Sequence, residues 1–242
     1  MKYAGLIKQS LVDYPGEIAA VLFTRGCNLR CPFCHNAHLL FKQEHRQSGQ
    51  NKSDSIDSEM VLDFLQERKG FLDGVVISGG EPTLHEEIIP DLRRIKELGY
   101  LVKLDTNGSS PLLLERLLDE GLVDYVAMDI KAPLDYKKYQ EVCGKLSPQL
   151  FCAIRNSIHL LRDADIRVEF RTTVVPVFHS LQDIEAIAGY IEGAALYSLQ
   201  QFNPDSTLDP GLENVSPYSK EEMQTMADCC LKYVREVRVL NI

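Results

Sequence analysis

The sequence predicts an α/β protein built on a parallel sheet. Two observations predict it. Short apolar runs alternate with segments of helical period through most of the 242 residues, which is the pattern of repeated βαβ units. No stretch is rich enough in Gly, Pro or Ser to mark a boundary. The expectation is therefore one domain over residues 1–242, with a core at 18–204 and a C-terminal helix and tail at 205–242. Alternating units imply right-handed crossovers. Six units fall short of the eight that close a barrel, which leaves an open three-quarter barrel or a doubly wound sheet. Both architectures gather ligands at the C-terminal ends of the strands, so those ends are where chemistry is to be sought.

The elements follow in order. IAAVLFT (18–24) is the first strand. The polar tract from Lys42 to Ser58 has no periodicity and reads as a mobile loop. Val61, Leu62 and Leu65 stripe a helix that ends near Gly70, and GVVIS (74–78) is the second strand. Ile88, Leu92, Ile95 and Leu98 line one helix face, stopped by Gly99. LVKLD (101–105) is followed by the helix of Leu113, Leu114, Leu117 and Leu118, closed at Gly121. VDYVAMDI (123–130) is the fourth strand. The helix of Leu150, Ile154, Ile158 and Leu161 leads to the fifth, IRVEFRTTVV (166–175). Ile184, Ile187 and Ile191 mark a helix before the sixth strand, ALYSLQQF (195–202). Ser219 and Glu222 form a capping box that opens a last helix, running to Val234.

Composition narrows the function. The net charge is −9 and no basic stripe is visible, which argues against a general nucleic-acid binder. No run approaches the roughly 18 apolar residues of a membrane span, and Lys8 and Asp13 break any signal-peptide pattern. A cytoplasmic protein is expected. Seven cysteines in such a chain point to metal or catalysis before disulfides.

Residues 25–36 read RGCNLRCPFCHN, so Cys27, Cys31 and Cys34 directly follow the first strand. Thiolates so spaced on a loop can converge on one inorganic centre, zinc or an iron–sulfur cluster. Zinc would need a fourth ligand, and His35 or His38 could serve. A four-iron cluster with three thiolates would keep one iron open. Three buried free cysteines are the bland alternative. Other strand ends carry polar groups in frame: Ser78-Gly79-Gly80-Glu81-Pro82, Asp105-Thr106-Asn107-Gly108, Asp129-Ile130-Lys131, and Arg171 within Glu169–Pro176. Taken singly, these read as turns, a helix cap, a surface ion pair and a strand arginine reaching solvent. Gln200 to Pro204 end the sixth strand as a rim. Cys143, Cys152, Cys229 and Cys230 are widely spaced and read as small core residues. His45, His85, His159 and His179 fall near loops or helix ends and suggest no role.

Together the cysteine spacing and the strand ends resemble the radical S-adenosylmethionine (SAM) enzymes, and within them the glycyl-radical enzyme activating enzymes. The likeness runs from Gly5 to about Pro204. It implies an α/β fold of the open (β/α)6 partial TIM barrel type. Cys27, Cys31 and Cys34 would hold a 4Fe-4S cluster whose fourth iron chelates SAM. Gly79, Gly80, Glu81, Asp105, Thr106, Asn107, Asp129 and Lys131 would bind SAM, with a monovalent cation near Asp105, Thr106 and Asp129. Arg171 would line the adenosine and the substrate loop, and is placed with the cysteines as carrying the reaction. The resemblance further implies reductive cleavage of SAM to a 5′-deoxyadenosyl radical that installs a glycyl radical on a partner enzyme. Flavodoxin or ferredoxin would donate the electron. The pattern is most similar to anaerobic ribonucleoside-triphosphate reductase activating proteins. Cys34-His35-Asn36 matches the activases, while Tyr14 stands where their lead-in has glycine. Ala37-His38-Leu39 replaces their Pro-Asp-Thr, and no histidine ends the sixth strand. Both departures count against a pyruvate formate-lyase-type activase, which remains an alternative. Another is a radical SAM enzyme acting on a small molecule, such as 7-carboxy-7-deazaguanine synthase. Arg25, Arg30 and His35 are expected around the cluster rather than on it.

Overall fold

A computed structural model describes residues 1–40, 55–205 and 207–241. Most of the tract read as a mobile loop, and His45 within it, lies outside these. Its end is a finding: Ile56–Asp57 is a short strand and Ser58 opens a helix. The chain divides into two compact units. The first comprises Met1–Cys27, His38–Thr106 and Leu112–Val126; the second comprises Asn28–Ala37, Asn107–Pro111 and Ala127–Ile242.

In the first unit, β1 (Lys2–Tyr3) pairs antiparallel with β4 (Ile56–Asp57), and β2 (Gly5–Ser10) pairs antiparallel with β3 (Ala19–Thr24). The parallel part runs β3, β5 (Gly74–Gly79), β6 (Leu101–Thr106), with Ala19 opposite Gly74 and Gly74 opposite Leu101. These strands are continuous apolar runs because both faces are covered. Val21, Leu22, Val76, Ile77, Val102 and Leu104 are buried. Helix α1 (Ser58–Glu67) buries Val61, Leu62 and Leu65, α2 (Ile88–Glu97) buries Ile88, Leu92 and Ile95, and α3 (Pro111–Asp119) buries Leu113, Leu114 and Leu117. Tyr14, the departure in the lead-in, is a core residue: its ring meets Tyr125 edge-on at 5.7 Å. Asp91 is a buried carboxylate that accepts from Tyr3 Oη at 3.0 Å and Ser58 Oγ at 2.5 Å.

Strand β7 (Tyr125–Asp129) runs through the boundary in the chain and delivers Asp129 to the second unit. There β8 (Arg167–Val174) and β9 (Leu196–Gln201) pair in parallel, Glu169 opposite Leu196. A further strand follows: β10 (Val237–Leu240) joins β9 in parallel, so the expected tail extends the sheet. One helix absent from the sequence pattern, α4 (Tyr136–Cys143), is capped by Asp135 and stopped by Gly144 at φ +70°. Helix α5 (Pro148–Arg162) starts at the Ser147 cap, and α6 (Leu181–Tyr190) and α7 (Lys220–Cys230) both begin with capping boxes. The box at Ser219 and Glu222 is the one the sequence predicts, although α7 stops at Cys230, short of Val234. No helix among the described residues is long and apolar enough to cross a membrane.

Candidate active site

The predicted site residues fall into two sets, one in each unit. In the first, Gly79 and Gly80 lie against the chain that leads into Cys27. Gly80 N–H donates to Thr24 O at 3.1 Å and Glu81 N–H to Gly26 O at 2.8 Å. A Cβ on Gly80 would stand 2.0 Å from Gly26 O, and one on Gly79, whose φ is +117°, 2.5 Å from Thr24 backbone atoms. The glycines are therefore required by the close approach of the cysteine loop. Glu81 is wholly buried. Its Oε1 accepts from Thr83 N at 3.0 Å, Thr83 Oγ1 at 2.5 Å and Thr106 Oγ1 at 2.7 Å. The carboxylate thus ties the end of β5 to the end of β6. Asp105 accepts from Ser78 Oγ at 3.0 Å and pairs with the Lys103 ammonium, a buried group the sequence reading missed. Two residues apart on one strand, Lys103 and Asp105 share a face, and that spacing was the available signal. His85 Nε2 sits 2.8 Å from the Arg25 carbonyl, one residue before Gly26.

In the second unit, Cys31 is buried and Cys34 half-buried. Burial pushes the Cys34 thiol up from its ordinary value. The Cys31 thiol is held below its ordinary value, chiefly by the neighbouring Cys143 thiol. Asn107 Nδ2 donates to Asn28 Oδ1 at 3.0 Å, and its Oδ1 accepts from Ser109 N at 2.9 Å. Asp129 Oδ2 accepts from Lys131 Nζ at 2.8 Å and Oδ1 from Arg171 Nε at 2.8 Å. Burial alone would raise the Asp129 pKa, but the Arg171 guanidinium and the Lys131 ammonium outweigh it and hold the carboxyl well below its usual range. Burial likewise acts to lower Lys131, and Asp129 with Cys31 keeps it above its usual value. The surface-pair and solvent-arginine alternatives therefore fall: the three charges form one half-buried group.

The Lys131 backbone is clamped from two sides. Its N–H donates to Tyr139 Oη at 3.1 Å, and its carbonyl lies 2.8 Å from His179 Nε2. Because Val175 N–H donates to His179 Nδ1 at 3.0 Å, Nε2 carries the ring proton and donates it to Lys131 O. His179 is 1% exposed, and burial lowers its pKa, so it is held neutral. The sequence reading gave it no role. A cleft of about 670 Å³ opens where β8 and β9 end, lined by His35, Thr173, Gln200, Phe202 and Asn203. His35 Nδ1 is 3.2 Å from the Asp205 carbonyl. Arg30 Nη1 donates to Leu29 O at 2.7 Å. Of the cysteines read as core, Cys143 and Cys230 are buried, Cys229 is half-buried, and Cys152 is a correction: it is exposed on α5. No role is visible for His38 or His159.

The residues fit a thiolate-held cluster and a zwitterionic ligand. Three cysteines stand on one loop, and cationic side chains neighbour Cys31 and Cys34. Ser109 Oγ and Gln201 Oε1 are buried without a hydrogen-bond partner among the described residues, which calls for a polar ligand or water there.

Comparison with known proteins gives the same direction. Residues 21–191 match the model of the Radical SAM superfamily. A Methanocaldococcus jannaschii protein named as a candidate glycyl-radical enzyme activating enzyme is 35% identical, covering 99% of this chain and 95% of its own. The pyruvate formate-lyase-activating enzyme of Clostridium pasteurianum is 27% identical over 94% of both chains. Among solved structures, QueE of Escherichia coli superposes with a TM-score of 0.57 at 19% identity, over 98% of this chain and 92% of that one. The fold is thus the α/β partial barrel of these enzymes, and the family works with a 4Fe-4S cluster and SAM. The chain belongs to the radical SAM superfamily, among the glycyl-radical enzyme activating enzymes.

Proposed function

We propose that this enzyme installs a glycyl radical on a partner protein, and that the partner is an anaerobic ribonucleoside-triphosphate reductase. The observation that carries the activase reading is the Asp129–Lys131–Arg171 group. The strand-end pattern that marked activases in the sequence is folded into one charged assembly with a clamped backbone. Support for the reductase over pyruvate formate-lyase comes from the sequence departures at Ala37-His38-Leu39 and at Gln200–Phe202.

The residues divide the work. Cys27, Cys31 and Cys34 are the thiolate ligands. When bound, the cluster and SAM would supply the radical chemistry that removes a hydrogen atom from a glycine Cα. Lys131 offers a compact positive charge to the SAM carboxylate, and His179 and Tyr139 fix the backbone from which it projects. Asp129 keeps Lys131 and Arg171 charged and oriented, and Arg171 would line the adenosine. Gly79 and Gly80 bring backbone carbonyl groups to the SAM amino group. Glu81 and Thr106 brace that turn, and Asn107 holds the cysteine loop through Asn28. A monovalent cation at Asp105, Thr106 and Asp129 would share its carboxylates with Lys103, Lys131 and Arg171. The electron donor is a flavodoxin or ferredoxin.

The test is direct. The reduced, reconstituted protein is mixed anaerobically with SAM and either reductase or pyruvate formate-lyase, and the glycyl radical is read by electron paramagnetic resonance. A signal with the reductase is expected. A signal with pyruvate formate-lyase alone would reassign the partner. SAM cleavage that survives Cys27→Ala, Cys31→Ala and Cys34→Ala would overturn the mechanism.

A further inference from the structure

Strand β6 reads LVKLDT, an apolar run interrupted by a lysine. Lys103 is 2% exposed, and a lysine is almost never buried so far unless its charge is paired. It stands opposite Val76 of β5 and shares its face of β6 with Asp105, two residues on. Its Nζ pairs with Asp105 Oδ1. The same Nζ lies 5.7 Å from the centre of the Tyr125 ring, within the range of a cation–π contact. Tyr14 meets that ring edge-on and braces it. Asp105 Oδ2 accepts from Ser78 Oγ at 3.0 Å, so both oxygens of Asp105 are engaged inside the first unit. In the second unit, Asp129 is engaged by Lys131 and Arg171. The monovalent cation that the family resemblance implies at Asp105, Thr106 and Asp129 does not fit these residues. Each carboxylate it would need already holds a tethered cation, and a further positive charge beside Lys103 would be repelled.

We propose that Lys103 takes the place of that cation: its ammonium balances and orients Asp105, so that SAM binding needs neither sodium nor potassium. The inference rests on the assignment of Asp105 to SAM. Lys103 is a positioning residue, acting through Asp105 and not on the ligand. An ammonium is a compact point charge and carries the same single charge as an alkali ion. Tethered to β6, it is held in place by the fold, and its presence does not depend on salt. A hard cation gathers oxygen ligands from several groups, whereas Lys103 rests on Asp105 and the face of Tyr125. Removing the side chain reverses the case. Asp105 then lacks its ammonium, a costly state for a carboxylate so little exposed, and a small cation from solution can enter where the ammonium stood.

The experiment measures the Kd for SAM by equilibrium binding to the reconstituted holoenzyme, for wild type, Lys103→Ala and Lys103→Met. Each is measured in the chloride salts of choline, sodium, potassium and ammonium at one ionic strength, so that screening is constant. Choline is too bulky to replace a lysine ammonium. Lys103→Met keeps the packing of the stem and removes only the charge. Wild type is expected to give the same Kd in all the salts, within about twofold. Both variants are expected to bind SAM about tenfold more weakly in choline, and the small cations are expected to restore most of the loss. That rescue is a readout which a purely structural lysine would not give. A wild-type Kd that falls severalfold when sodium or potassium replaces choline would overturn the proposal. Variants that match wild type in choline, or that no small cation rescues, would overturn it too and leave Lys103 to the fold. These results leave the family assignment standing, whereas a wild type that binds SAM in none of the salts would overturn the SAM site and the inference with it. Should both variants fail to fold, the wild-type series decides: an equal Kd in every salt supports the proposal, and a requirement for sodium or potassium overturns it.

Discussion

Lys131 is the side chain on which binding of SAM most depends in this reading. A hydrogen bond to a charged group contributes about 1.5–3 kcal/mol, so Lys131→Ala is expected to weaken SAM binding about tenfold to a hundredfold. Equilibrium binding to the reconstituted protein measures it, and an unchanged Kd would remove Lys131 from the site. The pH dependence follows from the charged group. Asp129 is depressed in the folded state, so its contribution to stability is complete above the ordinary carboxylate pKa and fades as pH falls. The stability gap between wild type and Asp129→Asn is therefore expected to be full at pH 7 and to shrink progressively below about pH 4. Urea unfolding at several pH values checks this. Lys131 is raised, so its charge persists through neutral pH and is lost only on the alkaline side. The sequence made Asp129, Lys131 and Arg171 visible because all three lie at or near strand ends. Lys103 on Asp105 was legible only as a two-residue spacing, and His179 on Lys131 was not legible at all. The His179 contact is decided by where a side chain lands after folding, because His179 lies 48 residues from Lys131 in the chain.

At the scale of an element, the turn after β5 is shaped by what it touches. Gly80 cannot carry a Cβ without displacing the Gly26 carbonyl, and Gly26 immediately precedes Cys27. Gly80→Ala is therefore expected to move the cysteine loop and cut iron loading severalfold. Gly99→Ala is the control, because Gly99 has φ +91° but nothing within 4 Å of a Cβ. It should cost only about 1 kcal/mol of stability and load iron normally. Iron and sulfide assays with denaturant curves separate the two outcomes. The six strands that the sequence predicts were legible because apolar runs such as AAVLFT and GVVIS admit few other readings. Strands β2 and β10 were not. Gly5–Ser10 carries Lys8 and Gln9 on an exposed edge, and Val237–Leu240 is half-buried along its length, so neither shows the apolar signature of a covered strand. Helix α4 was missed because YKKYQEVC buries only Tyr139, Val142 and Cys143, too short a stripe to stand out.

For the molecule as a whole, SAM binding is linked to folding. The residues assigned to SAM are divided between two compact units: Gly79, Gly80, Glu81, Asp105 and Thr106 in one, Asn107, Asp129, Lys131 and Arg171 in the other. SAM held by residues of either set stabilises the folded chain. At a free concentration about a hundred times Kd, the stabilisation is about 2.7 kcal/mol. For a chain of this size that corresponds to a rise in Tm of about 5–10 °C. A tenfold loss of affinity at the same concentration reduces the stabilisation to about half. Asp105→Ala and Lys131→Ala, one from each unit, are therefore each expected to lose about half or more of the SAM-induced shift, measured anaerobically by scanning calorimetry. A shift that depends on Lys131 but not on Asp105 would mean that the first set serves the fold of its own unit and leaves SAM to the second.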